Sequence, residues 1–327
     1  MIVTRAPFRV SFFGGGTDHP EFFSKHGGAV LGTAINKYSY VSINPLRNEL
    51  FDYNLKISYS KIEFVNTLES IEHNIFRECL RHFRMTSGLA LHNVFDLPAL
   101  SGLGTSSALT VSIINALQSH VEGKVDPKFL AESAIYIERE LVKSHVGWQD
   151  QIFAAYGGFN LIEFTQNGEF DVTPVKIEQS YLSDFEDHLL LMYTNMQRQS
   201  SEITERQLDQ MEKNQSILSQ MKELVSLAYK ILLNSSDLSE FGKLIHESWL
   251  MKRSLDVQVS TSEIDDIYEI GRANGAWGGK LLGAGGGGFL LFFASPSSQK
   301  RIRAALPSKS FLKVKTMAAG SSLIFKE

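Results

Sequence analysis

The sequence predicts an α+β protein of two lobes, and three observations carry that reading. The chain has 327 residues, more than one core usually holds and enough for two. Stretches rich in Val, Ile, Phe and Tyr interleave with stretches whose apolar residues recur at helical spacing. Apolar residues make up 43% and charged residues 21%, the ordinary proportions of a globular protein. No internal repeat or Pro-rich linker interrupts the pattern. The division is expected near residues 165–185, giving a first lobe over 1–170 and a second over 171–327.

"MIVTRAPFRVSFF" reads as a strand running into the glycines at 14–16. "GGAVLGTAINKYSYVSINPL" reads as one or two strands, and "KISYSKIEFV" as another. Ile71, Ile75, Phe76 and Leu80 share a helical period. "GLALHNVFDLPAL" is a strand ending at Pro98. A helix is expected from about Ser106 to His120, and a second over "KFLAESAIYIERELV". "GGFNLIEFTQNGEFDVTPV" reads as a hairpin turning at Asn167-Gly168. A strand follows at "HLLLMYTN". The polar stretch from Ser201 to Asn234 predicts one helix or two. "DLSEFGKLIHESWLMKRSL" continues the helical period at Leu238, Phe241, Leu244, Ile245 and Trp249. Ser262 is the expected N-cap of the next helix, and Gly275 lies past its end. "GGKLLGAGGGGFLLFFA" is a glycine-rich turn entering an apolar strand.

Composition also narrows function. The net charge of −4 gives no reason to expect nucleic acid, and no Lys/Arg run marks a membrane-surface patch. The single cysteine, Cys79, excludes an internal disulfide and a cysteine-built metal site. It is expected in an apolar helix face. The nine histidines show no metal-ligand spacing. The first residues lack a signal peptide's apolar core, and no stretch has the length of a membrane span. A cytoplasmic protein is the expectation.

Three glycine-rich stretches carry the chemistry. In "PALSGLGTSSALTVSIINAL", Gly102 and Gly104 permit backbone conformations closed to other residues. Thr105, Ser106 and Ser107 then fall on the first turn of a helix, where unpaired N–H groups and the helix dipole favour an anion. An N-cap and a plain turn would leave the same trace. The stretch is not a P-loop of the Walker type, because no lysine follows the glycines. The other two stretches are "PFRVSFFGGGTDHP" and "KLLGAGGGGFLLF". Between them, "IERELVKSHVGWQDQ" carries Glu138 and Asp150. Taken alone, Glu138 could pair with Arg139 or Lys143 on a surface, Asp150 could cap a helix, and Arg9 could be a strand-edge charge.

In this order the motifs resemble those of the GHMP kinase superfamily, which includes galactokinases, homoserine kinases, mevalonate kinases and phosphomevalonate kinases. The resemblance runs from residue 7 to about residue 290. It implies a two-lobed fold with mixed or antiparallel sheets, helices, and an ATP site between the lobes. It implies that Gly102, Leu103, Gly104, Thr105, Ser106 and Ser107 wrap ATP phosphates. Ser106 and Glu138 are then the magnesium-reaching pair, since a hard cation takes oxygen ligands. Asp150 faces the acceptor hydroxyl as general base or positioning group, with Arg9 as the fixed cation beside it.

Gly14, Gly15, Gly16, Thr17 and Asp18, with Gly285 and Gly286, are the implied substrate-binding residues. Where galactokinases read "GEHTDY", this chain reads "GGGTDH", a form similar to the D-glycero-D-manno-heptose 7-phosphate kinase branch. Glycines at 15 and 16 remove a carboxylate and leave room for an anion. The expected acceptor is therefore a sugar already phosphorylated, with Arg198 as the first candidate to hold its phosphate and Lys37 and Lys252 behind it. The alternatives are a sugar 1-kinase acting on unphosphorylated hexose, fucose or uronic acid, and a silent ATP- or sugar-binding regulator. The expected partners are ATP, magnesium and the sugar, with the protein a monomer or a homodimer.

Overall fold

Strand β1, Ile2–Phe13, is the spine of the first lobe in the computed structural model, which describes residues 1–121, 125–196 and 200–327. Its twelve residues are largely β-branched or aromatic, a composition suited to a pleated surface covered on both sides. β1 pairs antiparallel with β2, Gly28–Pro45. The sequence left one or two strands open here, and the chain makes a single long one. Register shifts between Pro7/Phe8 and Ser11/Phe13 bend β1 toward the glycine turn.

"KISYSKIEFV" forms two strands, β3 (Leu55–Ser58) and β4 (Ile62–Val65), because the chain reverses where the Tyr59 N–H donates to the Lys61 carbonyl at 2.8 Å. With β5 (Leu89–Phe95), β6 (Phe159–Phe164) and β7 (Phe170–Pro174) the sheet grows in the order β12-β1-β2-β5-β3-β4, with β6 on β2 and β7 on β6. β3 and β5 run parallel and the other pairs antiparallel. The hairpin expected at Asn167-Gly168 is the β6–β7 turn, with Gly168 at φ +79°. The last strand, β12 (Ser322–Lys326), returns to pair with β1. The closing segment is therefore built into the first sheet, which a single cut at residue 170 does not describe.

Helix α1 is Pro20–His26, and α2, Asn74–His82, buries Cys79 in its apolar face. α3 (Thr105–Val121) lies against β1 and β2. Nearly all its residues are buried, so it is the apolar axis of the lobe. α4 (Pro127–Tyr136) runs straight into a π-helical turn over Ile137–Leu141. Single wide turns of this kind recur at functional sites. α5, Gln149–Tyr156, was not apparent in the sequence as a helix, being only eight residues long. It stops at Gly157, φ +67°, a conformation that favours glycine.

The second sheet, β11-β8-β10-β9, is antiparallel: β8 Leu189–Tyr193, β9 Ala276–Leu281, β10 Phe289–Ala294 and β11 Ser310–Leu312. Around it stand α6 (Gln179–Asp187), α7 (Ser200–Asp209), α8 (Gln215–Leu233), α9 (Leu238–Leu255), α10 (Ser262–Ala273) and α11 (Pro296–Ala305). The long polar stretch is thus two helices. The cap of α10 is Thr261 rather than Ser262: its hydroxyl accepts from the Ile264 N–H at 3.3 Å. Phe12 and Phe159 from the first sheet meet Phe185, Phe241 and Phe293 from the second lobe, with neighbouring ring centroids 5.1–5.7 Å apart. Offset and edge-on contacts of this kind are favourable, and they give the two lobes a common core directly beneath the glycine loops. No helix among the described residues is long and apolar enough to cross a membrane.

Candidate active site

Arg9 is drawn out of β1 by three contacts. Its backbone N–H donates to the Leu103 carbonyl at 3.0 Å, stitching β1 to the loop before α3. Its guanidinium grips Asp150 through Nε–Oδ1 at 2.8 Å and Nη2–Oδ2 at 2.9 Å. Its remaining arm donates to the Gly102 carbonyl at 2.7 Å. Arg9 is 5% exposed, whereas the Asp150 side chain keeps a quarter of its surface open. The fork holds one carboxylate in a fixed plane and leaves it accessible.

Gly104, φ +74°, lies against this pair. A side chain there would begin 3.3 Å from both Arg9 Cγ and Asp150 Oδ2. The loop can therefore bring its backbone to the carboxylate only with glycine at this position. Gly102 (φ +77°) and Gly283 (φ +71°) lie back to back, and a Cβ on Gly283 would stand 2.6 Å from the Gly102 Cα. The loops from the two lobes thus touch through bare backbone.

At the start of α3 the three hydroxyl residues diverge. Ser106 is exposed and lines the cleft, while Ser107 is buried and donates to Glu138 Oε2 at 3.0 Å. Gln151 Nε2 donates to the same oxygen at 2.9 Å. Glu138 sits on the π turn, 2% exposed, directly behind Ser107. Burial pushes its carboxyl up to about 7, against hydrogen bonds from Thr110, Ser107 and Gln151, with Asp150 adding to the rise. Its other oxygen, Oε1, is buried without a partner. A buried carboxylate oxygen left unpaired is costly unless something else occupies it. A divalent cation fits that demand. Among the described residues no cluster of three carboxylate, His or Cys side chains could hold one alone, so such a cation would depend on other oxygens as well.

The first glycine motif is partly structural. Gly14, φ +81°, packs on the Ala29 carbonyl, and the Thr17 hydroxyl donates to the Gly14 and Ala29 carbonyls at 2.8 and 2.9 Å. Both form the turn and neither lines the cleft. Gly15 and Gly16 do. Asp18 lines it too, but its carboxylate faces backbone, accepting from the Gly16 N–H at 3.0 Å and the Gln149 N–H at 3.3 Å. It ties the glycine turn to the first turn of α5, which carries Asp150. Leu103 is wholly buried and contributes its carbonyl. In the third motif Gly285 is on the wall with Gly283 and Gly287. Gly286 instead donates its N–H to the Val259 carbonyl at 3.0 Å. Arg198 lies outside the described residues. Lys37, in the middle of β2, does not line the cleft.

Sequence reasoning passed over four wall residues or gave them little weight. Ser11 follows Arg9 by two along β1 and so shares its face. Gln149 precedes Asp150. Lys280 is the last residue but one of β9 and donates to the Phe12 carbonyl at 2.8 Å; it is 3% exposed. Lys252 is 8% exposed and donates to the Leu281 carbonyl at 2.9 Å and to the Gly283 carbonyl. For Lys280, the signal available in sequence was a lone charge ending an apolar strand just before a glycine turn.

Residues 70–158 match the GHMP kinases N terminal domain and residues 221–311 the GHMP kinases C terminal. D-glycero-alpha-D-manno-heptose 7-phosphate kinase of Campylobacter jejuni is 31% identical, over 93% of each chain. The L-fucokinase/L-fucose-1-P guanylyltransferase of Bacteroides fragilis is 26% identical over 92% of this chain and 35% of its own length. A solved D-glycero-D-manno-heptose 1-phosphate kinase from Bacteriodes thetaiotaomicron superposes with a TM-score of 0.82 at 22% identity, all of both chains being covered. Lactococcus lactis galactokinase gives 0.74 at 19% over 98% of this chain and 94% of its own. These two share the fold. The C. jejuni relative aligns over 93% of both chains, and both halves of the family match in order, so the chain belongs to the GHMP kinases.

Proposed function

We propose that this kinase transfers the γ-phosphoryl group of ATP to the anomeric hydroxyl of D-glycero-D-manno-heptose 7-phosphate, giving the 1,7-bisphosphate. The observation that carries the reaction is the contact of Gly104 with the Arg9–Asp150 pair. It sets a helix-N-terminal anion site beside a carboxylate that can face a hydroxyl. The acceptor is taken from the C. jejuni relative and from the space that Gly15 and Gly16 leave in the wall.

In this reading the ATP phosphates lie on Gly102–Ser107, with the γ-phosphorus toward Asp150. Asp150 orients the anomeric hydroxyl and accepts its proton as the oxygen bonds to phosphorus and the bond to ADP breaks. Arg9 holds the carboxylate in plane through its two-pronged grip. Most of the rate comes from this positioning and from charge stabilisation rather than from the base. Glu138 and Ser106 would hold magnesium, which supplies positive charge to the phosphates when bound. Ser107 and Gln151 fix the Glu138 carboxylate.

The test is product identification. The protein is incubated with ATP, magnesium and a panel of sugars and sugar 7-phosphates, and the new phosphate is located by phosphorus NMR. A new anomeric phosphate on the 7-phosphate is expected. The fucokinase relatives, matching 92% or more of this chain, favour the other outcome, faster reaction on an unphosphorylated sugar, and that result would replace the proposed acceptor.

A further inference from the structure

The cleft wall has two chemically different ends along β1. Arg9 faces the phosphate loop and Asp150. Two residues on, about 7 Å further along the strand, comes Ser11. Next is the Phe12 carbonyl, where Lys280 docks, and then the glycine turn. At this far end the polar groups lack partners. Ser11 Oγ and Gln149 Oε1 are buried with none, although the two residues are only 7% and 8% exposed. Both stand in ordinary contact distance of a Cβ placed on Gly15, Gln149 Nε2 at 3.7 Å and Ser11 Oγ at 3.8 Å. The missing side chain of Gly15 therefore opens the cleft between them.

Two buried ammonium groups line the same cleft. Lys280 uses one carbonyl against three N–H donors. Lys252 is spanned by two carbonyls of the third motif. Neither forms an ion pair with a described carboxylate; of the two carboxylates on this wall, Asp150 is taken by Arg9 and Asp18 by the Gly16 and Gln149 N–H groups. Burial lowers both lysines, Lys280 to about 7 and Lys252 well below its ordinary value, and Arg9 adds repulsion to each. Desolvated like charges without a counter-ion are unfavourable. An anion entering the cleft would relieve them, and unpartnered hydroxyl and amide oxygens beside them suit a polyol.

We infer that Lys280, supported by Lys252, is the anion-binding group of the acceptor subsite and takes the phosphate that the sugar already carries, while Ser11 and Gln149 bind the sugar hydroxyls between that phosphate and Asp150. This rests on the proposed acceptor being a sugar phosphate. It assigns discrimination between phosphorylated and free sugar to a residue of the second lobe, reaching across to the first through the Phe12 carbonyl.

Steady-state rates on heptose 7-phosphate and on the free heptose separate the two readings. In the wild type the phosphorylated sugar must be preferred; if it is not, the proposed acceptor fails and this assignment with it. In Lys280→Met, kcat/KM for the 7-phosphate should fall about 30-fold or more, chiefly through KM, as expected on losing a buried charge partner. The free sugar and the KM for ATP should change less than about threefold, and Lys280→Arg should restore part of the loss. A Lys280→Met enzyme that keeps the wild-type preference overturns the assignment and leaves the acceptor standing. Equal losses on both sugars, or a raised KM for ATP, also overturn it by moving the ammonium to the transferring group. A second measurement needs no variant. Inorganic phosphate should inhibit the wild type competitively against the sugar phosphate and not against ATP. Competition with ATP, or with neither substrate, would refute the subsite.

Discussion

The two ends of the cleft are built on opposite principles. The proposed donor end, Gly102–Ser107, is backbone, hydroxyls and a helix terminus, with φ values at Gly102 and Gly104 that exclude most other residues. The proposed acceptor end is side chains: Ser11, Gln149, Lys252 and Lys280, drawn from β1, α5, α9 and β9. A phosphate chain presents the same oxygens in every ATP, so fixed N–H groups suffice and demand a fixed backbone. An acceptor must be told from its analogues, which requires buried groups that are left unpaired when the wrong molecule binds.

The comparison can be broken at the junction first. Asp150→Asn keeps the shape that Arg9 grips but removes the charge. Turnover should fall by about 100-fold or more, while ATP affinity, measured by calorimetry, stays within a factor of about two. Turnover near wild type in that variant would remove Asp150 from the reaction.

Gly15→Glu sharpens the acceptor side. Position 15 lies outside the positive-φ set and has ordinary room for a Cβ, so the effect reports the cleft rather than the fold. A carboxylate there should weaken use of a sugar phosphate by about 1–3 kcal/mol at an effective dielectric near 20. The free sugar and ATP should be affected much less; equal losses on both sugars would deny the site its charge selectivity.

On the donor side the smaller test sets two adjacent serines apart. Ser106→Ala should raise the magnesium concentration for half-maximal rate by about threefold to tenfold. Ser107→Ala removes one hydrogen bond to Glu138 and should act more weakly, shifting the same titration by less than about threefold. If Ser107→Ala shifts the magnesium titration more than Ser106→Ala, the two roles are exchanged.

The last test is of stability without ligands. Lys280 is held at about 7, against lysine's usual 10.5. Between those values the unfolded chain binds a proton that the folded protein has released, so stability rises with pH across the window. Below about 7 the folded protein carries the buried charge and bears its full cost. Lys280→Met should therefore be more favourable, relative to wild type, at pH 6 than at pH 9, by on the order of 2–3 kcal/mol. Thermal unfolding at the two values measures it, and a pH-independent difference would mean that Lys280 is not desolvated as described.

The same contrast explains what could be read from sequence. The donor loop is contiguous, and its glycines and hydroxyls signal their conformation locally, so "GLGTSS" announces a helix N-terminus. The α+β class and most strands follow from period and composition in the same way. The acceptor end is not contiguous. Lys280 and Ser11 are 268 residues or more apart in chain position and meet through a carbonyl at Phe12. No spacing rule records such a meeting. Asp18 was legible as a motif residue but not as a bracket for α5, because backbone N–H donors leave no trace in residue type. Leu103 and Gly286 are singled out by adjacency to functional neighbours, yet the Leu103 side chain is buried in the core and the Gly286 N–H is bound to the Val259 carbonyl. The π turn that carries Glu138 looked like ordinary helix, since one wide turn barely perturbs the apolar period.

β12 has a consequence for how the molecule comes into being. It supplies a neighbour to β1 from residues 322–326, so one side of the strand that bears Arg9 is covered only by a segment very distant in sequence. Contacts of such high sequence separation are slow to form, and an open strand edge is a template for pairing with other chains. The first lobe can collapse around α3 early but cannot complete its sheet until residues 322–326 have joined it. Assembly of the catalytic strand is therefore a late event in this protein's life, and the interval before it is when aggregation would compete with folding.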